Sequence, residues 1–233
     1  LTDEEVGRLL DSVQVTRLQR RDEQEVVGYY EALETILEHH ADIAMEERYI
    51  HQLHGILLKY SHKDLTHKGK YKTLSNQVVA NYPDGTQKTI FRTTDPLLTP
   101  IEMQDLLKWL NERVLKRDMH PLIMISTFVY EFLSIHPYQD GNGRLARLLT
   151  TLLLMKLDYR FIQFVSFENV IETWKEDYYR ALMDGQKNRG NENECIATWT
   201  RFFLESLIAL TQRLDAKYQT YRTLKYVLNS RQQ

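Results

Sequence analysis

From residue 122 to residue 135 the chain is apolar on nearly every side of any helix it could form, because Ile123, Ile125, Phe128, Val129, Phe132 and Leu133 together cover more than one face. A helix of that kind belongs in the centre of a fold, since exposing any flank would leave apolar surface in water. Residues 144–157 predict a second apolar helix, and the loop at 137–143 requires the two to pack side by side. The longest apolar run, 148–157, contains Thr150, Thr151 and Lys156 and falls well short of the roughly 20 residues a bilayer span needs, so it reads as core.

Helical spacing recurs through most of the chain, with few glycine or proline interruptions, and the expected fold class is all-α. Thr2 and Glu5 have capping-box spacing and start a first helix at Asp3. Further helices are predicted over 22–39, 44–58, from an N-cap at Thr99 with Pro100 in the first turn through Leu110, over 167–185 and over 194–217, followed by a shorter polar tail to Gln233. Residues 187–193 read as a loop. The stretch 70–94 breaks the pattern: Val78, Val79, Ala80 and Tyr82 precede a turn at 83–86, and Ile90 and Phe91 follow it, which is how a β-hairpin reads. A lone hairpin is marginally stable, so it must pack on the bundle or serve as a flap.

A chain of 233 residues supports one main domain, drawn here at 1–210 with a helical tail at 211–233 that could lead into a further domain. The net charge of −2 produces no global field toward nucleic acid or anionic lipid, so any anion site must be local, and neither nucleic acid nor membrane is an expected partner. Cys195 is the only cysteine, which excludes an internal disulfide, fits a reducing, cytoplasmic setting and reads as a small half-buried apolar residue. Leu1 is not an initiator methionine, so sequence upstream of it is expected.

The chemistry concentrates in the twelve residues 136–147, HPYQDGNGRLAR. Asp140, Gly141, Asn142 and Gly143 lead into the second core helix, whose first amides and positive dipole end make an anion cradle. Glycines let a phosphate close on those amides and adopt left-handed angles cheaply; Asn142 tolerates the same region and could add a side-chain donor. Arg144 and Arg147 share a face in the first turn, where cations oppose the helix dipole and therefore call for something negative between them. A polyphosphate meets that need, and the arginine fork suits it. Asp140 is placed as the protein's share of a Mg²⁺ site, and His136, at the end of the preceding helix, can take a proton from an attacking hydroxyl at neutral pH. Each element alone also has an ordinary structural reading: a histidine before proline at a helix end, a turn, and arginines paired with acidic neighbours.

This stretch closely resembles the signature of the Fic family, His-Pro-Phe-x-Asp-Gly-Asn-Gly-Arg-x-x-Arg, with Tyr138 in place of phenylalanine. Residues 1–10 resemble the family's first helix, 69–92 its flap and 174–203 its closing helices, so the resemblance implies a Fic-fold helical bundle with a small hairpin flap. It further implies transfer of AMP from Mg-ATP to a protein hydroxyl (Ser, Thr or Tyr), on a target or on the chain itself. In that scheme His136 is the base, Asp140 the Mg²⁺ ligand, and Gly141, Asn142 and Gly143 the anion hole, while Arg144 and Arg147 hold the phosphates. Tyr179, Leu182 and Gln186 match positions lining the adenine pocket, and Val78, Val79 and Ala80 the strand that docks an extended target segment. Many relatives carry an inhibitory glutamate that pairs with the second arginine of the signature. No copy of its motif is found in this chain, and its place would be just before Leu1, so this fragment is expected to be more active than a longer parent.

Alternatives stay open at this point. The same cradle could transfer phosphate, UMP, GMP or phosphocholine, or remove AMP, and the chain could be a regulatory or DNA-associated binding module. Whether it pairs with a second copy is equally open.

Overall fold

The two apolar segments form the centre of a helical bundle. The structure, a computed structural model, describes residues 21–81 and 87–230. Among them are eight α-helices and one hairpin: α1 (Arg21–His39), α2 (Glu47–Leu57), β1 (Gln77–Asn81), β2 (Gln87–Arg92), α3 (Thr99–Lys116), α4 (Pro121–Ile135), α5 (Asn142–Lys156), α6 (Phe167–Thr173), α7 (Lys175–Gln186) and α8 (Ala197–Ser230). The expected helix from Asp3 and the turn at 83–86 lie outside the described residues.

Helix α4 opens at Pro121, where a missing amide costs nothing, and the His120 imidazole accepts from the Leu122 amide at 3.2 Å. It is surrounded: α3, α5 and α8 all pack against it, and Ile125, Phe128, Tyr130 and Phe132 are fully buried. Helix α5 packs on α1, α4 and α6. The α1–α2 contact is close enough that a Cβ on Gly28 would come within 2.2 Å of the Leu57 carbonyl oxygen, so only glycine fits there. Trp199, Phe202 and Phe203 of α8 are core residues, and the Trp199 indole donates to the Ser126 carbonyl at 2.9 Å.

The hairpin is antiparallel with a bulge, Val78 facing Phe91 and Val79 facing Thr89. β2 rests against α7, so the hairpin both packs on the bundle and leaves β1 as an edge strand of a two-stranded sheet.

Several boundaries differ from expectation. The single helix predicted over 167–185 is two, broken at Trp174, whose backbone (φ −109, ψ 34) leaves the helical region while its ring packs edge-on against Phe202. The last helix starts at Ala197 and continues to Ser230 without a separate tail. Thr99 is not an N-cap: the chain already curls at Asp95, whose carbonyl takes the amides of Leu98 and Thr99 and the Thr99 hydroxyl as well. Helix α2 begins at Glu47 rather than 44. Cys195 is exposed, not half-buried. Among the described residues no helix is long and apolar enough to cross a membrane.

Candidate active site

The loop between α4 and α5 opens on a cleft of about 610 Å³ lined by both helices, by α1, by the β1 strand and by α6 and α7. His136 caps α4 in a left-handed conformation (φ 53), its amide still bonded to the Phe132 carbonyl at 2.9 Å. Its Nδ1 lies 3.2 Å from the Leu133 carbonyl. A carbonyl can only accept, so in the neutral ring Nδ1 carries the proton and Nε2 keeps its lone pair. Burial is the main force lowering the ring's pKa to about 4; the Leu133 bond opposes it, Lys72 adds to it and Asp140 opposes it. The sequence suggested an ordinary imidazole; the structure holds a neutral one at physiological pH.

The loop is held by a side chain that sequence reasoning assigned elsewhere. Asn142 is buried, its Oδ1 accepting from the Tyr138 amide at 2.8 Å and its Nδ2 donating to the Tyr138 carbonyl at 2.7 Å. Both ends of its amide bond the Tyr138 backbone, so it clamps the loop. Helix α5 therefore starts at Asn142, two residues earlier than expected, and the backbone amides at its start lack helical acceptors. Gly141 is left-handed (φ 79), as expected, but Gly143 is helical; its value is space, because a Cβ there would sit 3.3 Å from Arg147 Nη1. Beneath the loop, fully buried His54 accepts from the Gly69 amide at Nδ1 (2.8 Å), which leaves Nε2–H to donate to the Asp140 carbonyl at 3.0 Å. The Tyr138 ring stacks on His54 at 3.8 Å, and its hydroxyl meets His51 Nδ1 at 2.7 Å.

Both arginines line the cleft, in the company of carboxylates. Arg144 Nη1 lies 3.2 Å from Glu25 and Nη2 3.6 Å from Asp140, yet among the described residues the buried Nη1 has no aligned hydrogen bond. Arg147 is gripped by Glu168: Nη2 donates to Oε1 at 2.6 Å and Nε donates to Oε2. The negative charge that a cation pair at a helix start requires is thus supplied in part by the protein itself.

Val78, Val79, Tyr179 and Leu182 line the same cleft, and Ala80 continues the β1 strand. Gln186 does not line it; its amide donates to the Tyr130 hydroxyl (2.9 Å) and to Ser134 Oγ (2.6 Å). Glu25, His54, Lys72 and Glu168 were not singled out from the sequence. Nothing local marks Glu168 as more than an acid in the first turn of a helix capped by Ser166, where such acids are ordinary.

With this geometry in place, residues 42–154 match the model of the Fic/DOC family. Those residues make up a Fic domain. It is similar to the protein adenylyltransferase Fic of Nematostella vectensis, 25% identical over 171 residues that make up 67% of this chain and 36% of that relative. The chain thus spans little more than a third of that curated relative's length. Its fold resembles a Fic family protein from Desulfovibrio desulfuricans G20, with a TM-score of 0.74, 26% identity and coverage of 94% of this chain and 61% of that one. A Fic domain containing signaling protein from Bacteroides thetaiotaomicron shares the fold at a TM-score of 0.70 and 22% identity, covering 93% of this chain and 81% of that one. The Fic bundle, mostly helical with one small antiparallel hairpin, is the architecture described above.

Proposed function

We propose that this Fic domain transfers AMP from Mg-ATP to a serine, threonine or tyrosine hydroxyl of a target protein or of its own chain. The observation that carries the reading is the pairing of His136 Nε2, unprotonated because Nδ1–H is committed to Leu133, with the open amides at the start of α5 in one cleft. A base for an alcohol and a cradle for a phosphate are the two parts phosphoryl-centre transfer requires.

The residues fit a magnesium–nucleotide pair. Asp140 offers a hard carboxylate beside the helix start, and Arg144 Nη1, ion-paired with Glu25 but without an aligned hydrogen bond among the described residues, is a buried donor that a phosphate oxygen would satisfy. The bound ion would neutralise charge spread over the phosphate oxygens. The amides of α5 and Arg144 hold the polyphosphate, and Arg147 joins them by exchanging Glu168 for phosphate oxygens, a fork that matches either partner. His136 Nε2 takes the proton of the incoming hydroxyl, the alcohol oxygen bonds to the α-phosphorus, and the bond to the bridging oxygen breaks to release pyrophosphate. Tyr179 and Leu182 form a wall for the base of the nucleotide. The edge of β1, unpaired among the described residues, offers main-chain groups to an extended target segment, presenting its hydroxyl to His136.

Incubation with ATP labelled at the α-phosphate, in parallel with ATP labelled at the γ-phosphate, tests the reading. Protein-bound label from the α position alone supports AMP transfer. Label from the γ position alone would move the assignment to phosphate transfer in the same cradle.

A further inference from the structure

Lys72 lies outside the signature and is almost completely buried, with 3% of its surface exposed. Its ammonium makes three hydrogen bonds: to Asn76 Oδ1 at 3.0 Å, to Thr93 Oγ1 at 2.9 Å and to the Ile135 carbonyl at 2.9 Å. Asn76 immediately precedes β1, Thr93 immediately follows β2, and Ile135 is the last residue of α4, next to His136. The root of the hairpin and the end of the base-bearing helix thus converge on one nitrogen. The contacts around it extend the same junction. The Lys72 amide donates to the Pro137 carbonyl at 2.8 Å, Asn76 Nδ2 donates to the Tyr138 carbonyl at 2.8 Å, and the Thr93 hydroxyl is shared between Lys72 and Asn76. The carbonyls of Ile135, Pro137 and Tyr138, on either side of His136, are all held from the hairpin side.

Stability alone is a poor reason for this arrangement. Burying a cation is costly, and no carboxylate is among the three acceptors of this ammonium; its direct partners are neutral oxygens at the negative end of the α4 dipole, with Glu102 and Asp95 acting only through space. Burial accordingly holds the Lys72 pKa down at about 8, with Glu102 and Asp95 opposing. An ammonium does have three donors in a tetrahedral array, which matches three acceptors from three segments; the planar arginine fork does not.

We propose that Lys72 is a positioning residue that ties the root of the hairpin to the α4 terminus, so that the β1 edge and the His136 ring keep one fixed relation. The proposal rests on the reading of His136 as the base and of β1 as the strand that presents the target. It assigns Lys72 no contact with nucleotide or with the reacting atoms.

The test uses the full chain with Lys72→Met, which keeps bulk and removes all three bonds, and Thr93→Val, which removes one. Amide hydrogen exchange, Mg-ATP affinity by calorimetry and the AMP-transfer rate are measured for each. In Lys72→Met, exchange should rise together in Gln77–Asn81 and at the Tyr138 amide by about tenfold or more, because one local opening exposes both. Mg-ATP affinity should stay within about twofold while kcat falls about 100-fold, the scale of a small misplacement of reacting groups. Thr93→Val should give the same pattern in smaller measure, and it decides alone if Lys72→Met does not fold. Faster exchange in the strand with Tyr138 unchanged, an unchanged kcat, or a parallel loss of Mg-ATP affinity would each overturn the proposal. If the unsubstituted chain transfers no AMP, the functional reading fails, and the exchange data still judge the coupling.

Discussion

Glu168 holds Arg147 through both carboxylate oxygens inside the cleft, occupying two of the donors that the family resemblance assigns to phosphate. The pair is largely shielded on the arginine side and more open on the glutamate side, 15% against 38% exposed, so the carboxylate is the partner positioned to leave. On the proposed reading, a triphosphate entering this cleft would compete with Glu168 for the same fork.

Removing the charge of Glu168 should therefore favour the nucleotide. Glu168→Gln is expected to tighten Mg-ATP binding by about tenfold, a gain of about 1.4 kcal/mol, measured by calorimetry. Unchanged or weaker binding would mean that the grip on Arg147 positions the arginine and does not compete with phosphate.

As the proposed base, His136 sets the pH dependence expected of the proposed reaction. Only the neutral ring accepts a proton, and burial has lowered the pKa to about 4, so the base is fully available at every pH well above that value. The profile of kcat/KM should show no loss centred near pH 6.5, the value for an unperturbed histidine, and should decline only on approach to about pH 4. A half-maximal rate near pH 6.5 would contradict the buried setting of the ring.

His54 makes a related prediction for stability. The unfolded chain binds a proton there below about pH 6.5, whereas burial keeps the folded ring neutral down to about pH 4. Folding is thus favoured in full above pH 6.5 and progressively less as pH falls toward 4, by about 3 kcal/mol across the window. Protonation would also set an Nδ1–H against the Gly69 amide that Nδ1 now accepts from. Urea unfolding at a series of pH values should show this slope, and His54→Phe should flatten it; since His136 titrates in the same window, a residual slope should remain.

Two residues of the loop should separate sharply when substituted. Asn142→Ala leaves a buried amide unsatisfied at Tyr138 and is expected to cost about 2–4 kcal/mol, together with weakened Mg-ATP binding. Tyr138→Phe restores the residue usual in the signature and removes only the hydroxyl contact with His51, for about 1 kcal/mol or less. Equal costs in urea unfolding would mean that the Asn142 clamp is not what holds the loop.

The central helices and the hairpin were legible because their signals are local: all-round apolarity for α4 and period-two strands around a turn. The candidate site stood out for the same reason, its residues being crowded into twelve consecutive positions. What escaped depends on distant segments. Glu25 and Glu168 come from α1 and α6, and as glutamates on amphipathic helices they look like any solvated acid. His54 and Lys72 are polar residues whose burial follows from the loop and hairpin closing over them. Asn142 fits the loop equally well as an anion donor or as a clamp, and only the course of the backbone at Tyr138 decides between them. Gln186 lies one turn beyond Leu182, and the hydroxyls of Tyr130 and Ser134 on the buried α4 engage its amide.

The most direct test of the account compares the unsubstituted chain with His136→Ala, measuring label transferred from α-labelled Mg-ATP alongside Mg-ATP affinity. The account predicts labelled protein from the unsubstituted chain and none above background from His136→Ala, with affinity changed by no more than about twofold, because the ring acts on the hydroxyl and not on the phosphates. Equal labelling by both proteins, or no labelling by the unsubstituted chain despite Mg-ATP binding, would contradict it.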